Sequence, residues 1–479
     1  MIRDAELDGR SVAVRCEDGL IREIADRLDA KSGEDEIDAR GGALLPGLHD
    51  HHLHLHSLAA HFASVPCGPP SIESPDALAE ALRCAESISG WIRGTGYFES
   101  VAGKLDRNRL DVLGPDRPLR IQHRSGSMWF LNSRAIVELG LDRTEDREAT
   151  EPPGVERDET GRATGRLFRA DEWLRERFAS SPAPDLGAVG AHLAHCGVTS
   201  VTDATASNGP EELALFRAAQ RSGALPQRLR MMGDLSLAEA ATSDSGEARD
   251  WLEIAEYKIM LDEPALPDFD ELVSSIAAAH QSRRCVAFHS VTRTEIHFAL
   301  AALEAAGVAP GDRLEHASVT PPEAFDLARR LGLTIVTQPN FIAERGDAYH
   351  ENVESRDLTY LYRVRSWLEA GVSLAAGTDA PFGDPDPWLA MRAAVLRETR
   401  TGRCMGEEER VSPESALALF GNGFTHKIAS NLDARGVAVG QRADLCLLKE
   451  PWSKARRTLS SELVAATICD GRLLWNAIA

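Results

Sequence analysis

Between residues 42 and 381, short apolar runs alternate with amphipathic stretches, and this alternation restricts the fold more than any other feature. Eight runs read as strands: GALLPGLHDHHLH (42–54), PLRIQHRS (118–125), GVTSVTDAT (197–205), YKIMLD (257–262), CVAFHS (285–290), RLEHAS (313–318), LTIVTQP (333–339) and VSLAAGTDAP (372–381). FDELVSSIAAAHQ (269–281), TEIHFALAALEAAG (294–307) and PEAFDLARRLG (322–332) carry apolar residues at helical spacing between them. Strands interleaved with helices predict a parallel α/β fold, and a count of eight points to a (β/α)8 TIM-type barrel.

The two ends of the chain read differently. SVAVRC, GLIREIA and EIDARGGALLPG at the start, and GVAVGQRADLCLLKE and ELVAATICDGRLLWNA at the end, are short strand-like runs punctuated by turn residues. They predict a small, β-sandwich-like domain built jointly from residues 1–44 and 434–479. The barrel then occupies 45–433, with insertions near 65–115 and 126–186.

Composition excludes some partners. A formal net charge of −21 over 479 residues argues against nucleic acid and anionic membrane surfaces, which both select Lys/Arg patches. There is no run of 18 apolar residues, and MIRDAELDGRSVAV has no apolar signal core, so no membrane association is expected. The eight cysteines are scattered without a CxxC pair, several within apolar runs. Reduced, buried thiols and a cytoplasmic location are the expectation.

The chemistry-bearing residues fall near the ends of the strand-like runs. The first run supplies His52 and His54, the fourth Lys258, the fifth His289, the sixth His316 and the eighth Asp379. In a (β/α)8 barrel these ends converge on one face, where active sites sit. Four imidazoles with a carboxylate and an amine suit zinc and similar divalent ions.

These segments also stand in the order of a known family. PG-x-x-D-x-H-x-H is present as Pro46, Gly47, Asp50, His52 and His54. Lys258 in YKIMLD, His289 in VAFHS, His316 in RLEHAS, Gln338–Pro339 in TQPN, Asp379 in GTDAP and the tail GVAVGQRADLCLL follow. The chain resembles the amidohydrolase superfamily over essentially its whole length, and within it the amidohydrolase-3 (YtcJ-like) branch, which includes N-substituted formamide deformylases. The resemblance implies a metal-dependent hydrolase of C–N bonds in an amide, formamide, carbamate, urea or cyclic amide, acting on a small-molecule substrate. Hydroxide generated at one or two divalent ions, zinc foremost, attacks the carbonyl. It assigns His52, His54 and Asp379 to one metal, and His289 and His316 to a second. Lys258, as a CO2-derived carbamate, bridges the two if the centre is binuclear. Asp379 is the catalytic proton shuttle. It also implies a homodimer. A non-hydrolytic or ester- or phosphoester-directed relative with the same metal site, and a catalytically silent barrel scaffold, are the alternatives.

Six further residues are candidate substrate contacts: Tyr97 in GTGYFES, His123, Arg124, Ser127 and Trp129 in HRSGSMW, and Gln338. RSGSMWFLNS departs from the branch's DGH-type segment, with Ser127 where its histidine falls, so substrate preference does not transfer. Of the other histidines in GLHDHHLHLHS, His49 and His51 have opposite parity to His52 and His54 and are expected to face the helical layer. His56 is expected just beyond the ligands or in solvent.

Overall fold

The computed structural model describes residues 1–85, 90–142, 151–152, 154–178, 185–237, 251–423 and 436–477. The chain divides into two compact units, Met1–Leu55 with Leu186–Ala479, and His56–Asp185.

The first unit is built on eight strands: β1 Leu48–Leu53, β2 Val198–Asp203, β3 Arg228–Gly233, β4 Leu252–Met260, β5 Val286–Ser290, β6 Arg313–His316, β7 Thr334–Thr337 and β8 Ser373–Ala376. They lie side by side in chain order, each parallel to its neighbour. Past the last strand, Asp379 N donates to His52 O and His54 N to Ala380 O, both at 2.8 Å. These bonds bring the segment after β8 against β1 and curl the sheet into a (β/α)8 barrel. Helices start where the sequence caps them. Thr292 Oγ1 accepts from Glu295 N at 3.2 Å while Glu295 Oε2 accepts from Thr292 N at 3.0 Å, a capping box that opens Arg293–Ala306 after β5.

The approach of β8 to β1 depends on Gly377. A Cβ built there would stand 2.4 Å from His52 N and 2.8 Å from His52 Cα. Gly377→Ala must therefore push the two segments apart, and we expect a loss of about 1–3 kcal/mol, read as a lower urea midpoint. An unchanged midpoint would show that this end of the sheet is free to spread.

One strand assignment from sequence is corrected. Leu119–His123 is a strand, but it belongs to the sheet of His56–Asp185 and is no part of the barrel. GVTSVTDAT thus supplies β2, and β3 is RLRMMG, which a search for apolar runs passes over. Its arginines have distant partners. Arg228 pairs with Asp444 at 2.9 Å and Asp470 at 3.2 Å, and Arg230 with Glu256 at 3.2 Å.

Both ends of the chain enter one small β layer pair. The order Leu20–Ala25, Arg10–Glu17, Ile2–Leu7, Ile37–Asp38 forms one sheet, and Arg472–Asn476, Val464–Cys469, Leu445–Leu448, Leu44–Pro46 the other. Ile2, Val14 and Ile21 share a single buried core with Leu445, Leu447 and Ile468. The boundary expected at 433/434 lies outside the described residues.

Unit His56–Asp185 carries a six-stranded sheet in the order Val155–Arg157, Ala163–Phe168, Met128–Leu131, Leu119–His123, Ile92–Tyr97, Val65–Pro66. The insertions expected near 65–115 and 126–186 therefore contribute to one sheet. All eight cysteines are free, but Cys84 and Cys404 are exposed rather than buried. Among the described residues no helix is long and apolar enough to cross a membrane.

Candidate metal centre

Strand periodicity puts His52 on the barrel's inner side, and His54 follows where β1 ends. His52 Nε2 lies 3.5 Å from Asp379 Oδ1 and His54 Nε2 3.3 Å from the same oxygen. The ligand atoms of His52, His54 and Asp379 all fall within 4.8 Å of one another. Asp379 reaches this point through a left-handed backbone, φ +56°, which turns the chain inward just past β8. His316 is also left-handed, φ +68°. Glu315 and His316 have opposite parity on β6, and this twist at the strand end lets both serve the same centre.

His316 Nδ1 is 4.0 Å from Asp379 Oδ2. Its ring centroid lies 4.7 Å from that of His52 and 4.5 Å from that of His289. Three of the imidazoles are held at Nδ1, which for His52 and His54 is the side away from the carboxylate. His52 Nδ1 is bound by the Glu315 carboxylate, His54 Nδ1 by Thr205 Oγ1 at 2.8 Å, and His316 Nδ1 donates to Gln338 Oε1 at 2.8 Å. A carboxylate only accepts, so His52 carries its proton on Nδ1 and keeps its Nε2 lone pair free. The same reading of Gln338 frees Nε2 of His316. This is how protein metal sites set the tautomer of a ligating histidine.

The electrostatics prepare the same residues. Burial, with Lys258 adding to it, lowers His52 to about 4; burial and neighbouring His52 lower His316 to about 3. Burial, His316 and Lys258 also place His289 well below the usual range. These rings are therefore neutral at pH 7, the form that binds metal. Burial pushes Asp379 up, but the imidazoles of His54, His316 and His52 more than offset it and hold the carboxyl well below its usual range. Lys258, fully enclosed on β4, is lowered to about 8 by burial against the opposing pull of Glu315.

Two buried atoms bear on whether this set fits a cation, and the carboxylate oxygen fits one directly. Asp379 Oδ1 accepts no hydrogen bond although two imidazole nitrogens face it, and Lys258 Nζ has no hydrogen-bond partner. Atoms so enclosed and unsatisfied are costly unless something further occupies the space between them. The nitrogen and oxygen donors match zinc and its neighbours.

Several residues around the ligands carry roles that motif reading did not assign. Glu315 is fully buried between His52 Nδ1 and Arg313 Nε. Asp50 Oδ1 accepts from His52 N at 3.1 Å and Thr378 N at 3.0 Å, tying β1 to the segment after β8. Burial raises Asp50 to about 7, against the bonds from Thr378 and His52. Asp50 stands in the PG-x-x-D-x-H-x-H motif, and the signal for Glu315 is an acid inside an otherwise apolar strand next to a ligand histidine. Gln338, expected at the substrate, directly follows β7 and is buried beside His316, accepting from its Nδ1 through Oε1, while its Nε2 has no hydrogen-bond partner. His49 Nε2 bonds Thr202 Oγ1 at 2.9 Å, its ring stacks on His51 at 3.9 Å, and His51 Nε2 donates to Gly421 O at 2.8 Å.

The remaining candidates lie in unit His56–Asp185. Tyr97 is buried in that unit's core with its hydroxyl donating to Gly103 O, and Trp129 is buried with Nε1 donating to Asp171 Oδ1 at 2.9 Å. Packing thus accounts for both side chains. His123 stays accessible, bonding Ser125 Oγ at 2.8 Å and Glu99 at 3.1 Å; Arg124 stacks over Phe98 at 3.3 Å, and Ser127 Oγ is 2.9 Å from Ser125 Oγ. His56 lies in the helix Leu55–Phe62.

Comparison with known proteins agrees with this geometry. A family model described as "Amidohydrolase family" matches residues 35–474. N-substituted formamide deformylase of Arthrobacter pascens is 26% identical, with 92% of this chain and 90% of the relative covered. YtcJ of Bacillus subtilis (strain 168) is 23% identical, with 98% and 96% covered. Among solved structures, a metal-dependent hydrolase from Pyrococcus furiosus shares the fold at a TM-score of 0.67 and 22% identity, over 94% of this chain and 98% of that one. The family match spans nearly all of the barrel and both parts of the small β domain, and the buried His–His–Asp group lies at the barrel's C-terminal mouth. The chain belongs to the amidohydrolase family.

Proposed function

We propose that the protein hydrolyses an amide-type C–N bond of a small molecule, and that Asp379 moves the proton. The observation that carries this is the convergence of His52 Nε2 and His54 Nε2 on Asp379 Oδ1, with each ring fixed from its Nδ1. A divalent cation, with zinc best suited to this donor set, supplies Lewis acidity at the carbonyl and lowers the pKa of water from ~15.7 to about 7. His52, His54 and Asp379 would hold it, and His289 and His316 would hold a second ion if one binds. Lys258 is buried with a free Nζ and lowered to about 8, so part of it is neutral amine near pH 7. That amine can add CO2, and the resulting carbamate offers two anionic oxygens where an ammonium would repel cations.

Asp379 takes one proton from the attacking water as the new C–O bond forms, and returns it to the nitrogen as the C–N bond breaks. Acid and amine are the products, with no redox change. Free cysteines throughout favour a cytoplasmic setting for this chemistry.

Elemental analysis and an activity panel test the reading together. Purified protein reconstituted with zinc or manganese should retain about one to two equivalents of metal after desalting. It should also hydrolyse at least one member of a panel of N-formyl, N-acyl, carbamate and lactam compounds. Retention below about one equivalent, or a fully loaded protein inert to the panel, would sink it.

A further inference from the structure

Arg345 stands out among the guanidiniums of the first unit. It lies on the helix Asn340–Asn352, which follows β7 directly. Its Nη2 donates to the carbonyl of Phe382, in the segment that carries Asp379, and the Phe382 ring meets His54 edge-on at 5.5 Å. Its Cζ lies 4.0 Å over the Phe341 ring, and the Asp379 carboxylate is near enough to act on its charge. Arg345 is thus held just beyond the ligands on the β7–β8 side.

A guanidinium has five N–H donors, and among the described residues Arg345 makes a single bond with them, to Phe382. Among the described residues it has no ion pair. Its neighbour Glu344 gives Oε1 to Asn340 Nδ2 at 2.9 Å and Asp384 N at 3.0 Å instead. Two fully buried guanidiniums of this unit make several bonds each, although Arg313 Nη1 has no hydrogen-bond partner and faces Glu256 at 3.7 Å. Arg313 binds Glu315 and His51 O, and Arg397 donates to the carbonyls of Met405, Tyr362 and Leu361. The chain has 74 acids against 53 bases, so an arginine left without a carboxylate is not explained by a shortage of them. Around Arg345 stand Phe341, Tyr349 and Tyr362, and the carboxylates of Glu344 and Asp379 act on its charge without bonding it. A planar cation with unused donors, rigidly held by a ring and a carbonyl, fits a bidentate carboxylate.

We propose that Arg345 is a specificity-determining residue that selects substrates bearing a carboxylate near the scissile C–N bond. This rests on the C–N hydrolase reading above. The anchor of Arg345 to Phe382 sets the distance from that carboxylate to the centre containing Asp379.

N-formyl-L-leucine and N-formyl-3-methylbutylamine differ only in the carboxylate. With metal-loaded enzyme, kcat/KM for the acid should exceed that for the neutral amide by about 10-fold or more, through KM. Arg345→Met should bring the ratio close to one, and Arg345→Lys should restore part of it. Equal ratios in wild type and Arg345→Met, or a wild-type preference for the neutral amide, would overturn the proposal while leaving the hydrolase reading intact. If neither compound is hydrolysed, calorimetry on the same holoenzyme separates the two ideas. Tighter binding of the acid that is lost in Arg345→Met keeps the anion site and counts against the C–N hydrolase. No binding of the acid overturns the anion site.

Discussion

Asp379→Asn is expected to lower kcat by about 10²- to 10⁴-fold on any C–N substrate the enzyme turns over. The amide keeps the shape of the carboxylate and its place after β8, so the fold should persist with an unchanged circular dichroism spectrum. What it removes is the negative charge that faces the three imidazoles of His52, His54 and His316 at 3.5, 3.3 and 4.0 Å. It also removes the carboxylate that faces these imidazoles and could accept a proton and release it again, while the buried rings of His52 and His316 are held by the partners on their Nδ1 atoms. Metal content by elemental analysis should fall as well, since one anionic ligand of the His52–His54–Asp379 group is gone. Measuring both quantities separates the two roles. If Asp379→Asn regains full metal at high zinc but stays slow, proton transfer is the deficit. Turnover equal to wild type would show that Asp379 is no proton carrier.

Much of this site is written locally in the chain, and the parts that are not have a common physical cause. His52 and His54 sit two apart on a strand, a spacing that fixes their shared direction, so their motif can be read directly. β3 was hidden because its alternating arginines make sense only with Asp444, Asp470 and Glu256, and the first two lie more than two hundred residues further on. Leu119–His123 was misplaced for the converse reason. Alternation reveals a strand but never which sheet it joins. His316 follows Glu315 directly, so parity alone puts only one of them inside the barrel. The left-handed backbone at His316 reconciles them, and no residue type there announces it. Gln338 was read as a substrate contact because it sits in a motif near the mouth. Its actual partner, His316 Nδ1, is a long-range hydrogen bond that sequence does not contain.

Glu315 is the residue whose loss should reach furthest beyond its own contacts. It is fully buried, as is Arg313, and it bonds the guanidinium and the His52 ring together. Burial raises its carboxyl, but Arg313, Lys258 and His52 outweigh this and keep it ionised. Glu315→Leu leaves Arg313 with Glu256 as its remaining acid, 3.7 Å away, and should cost about 3–5 kcal/mol in urea unfolding. Glu315→Gln is the more informative change. Its amide has one acceptor for two donors, so its NH2 must face either Arg313 or His52. If it faces His52, Nδ1 becomes the acceptor, the ring proton moves to Nε2, and the atom aimed at Asp379 can no longer bind metal. Metal affinity, measured by chelator competition, should fall about 10- to 100-fold. Arg313→Met combined with Glu315→Leu then distinguishes positioning from support. An apolar pair of similar volume removes the stranded charge and should recover much of the urea midpoint. His52 is still without its Nδ1 acceptor, so the loss of metal affinity should persist. Recovery of both together would mean that Glu315 acts on the metal only by keeping the barrel folded.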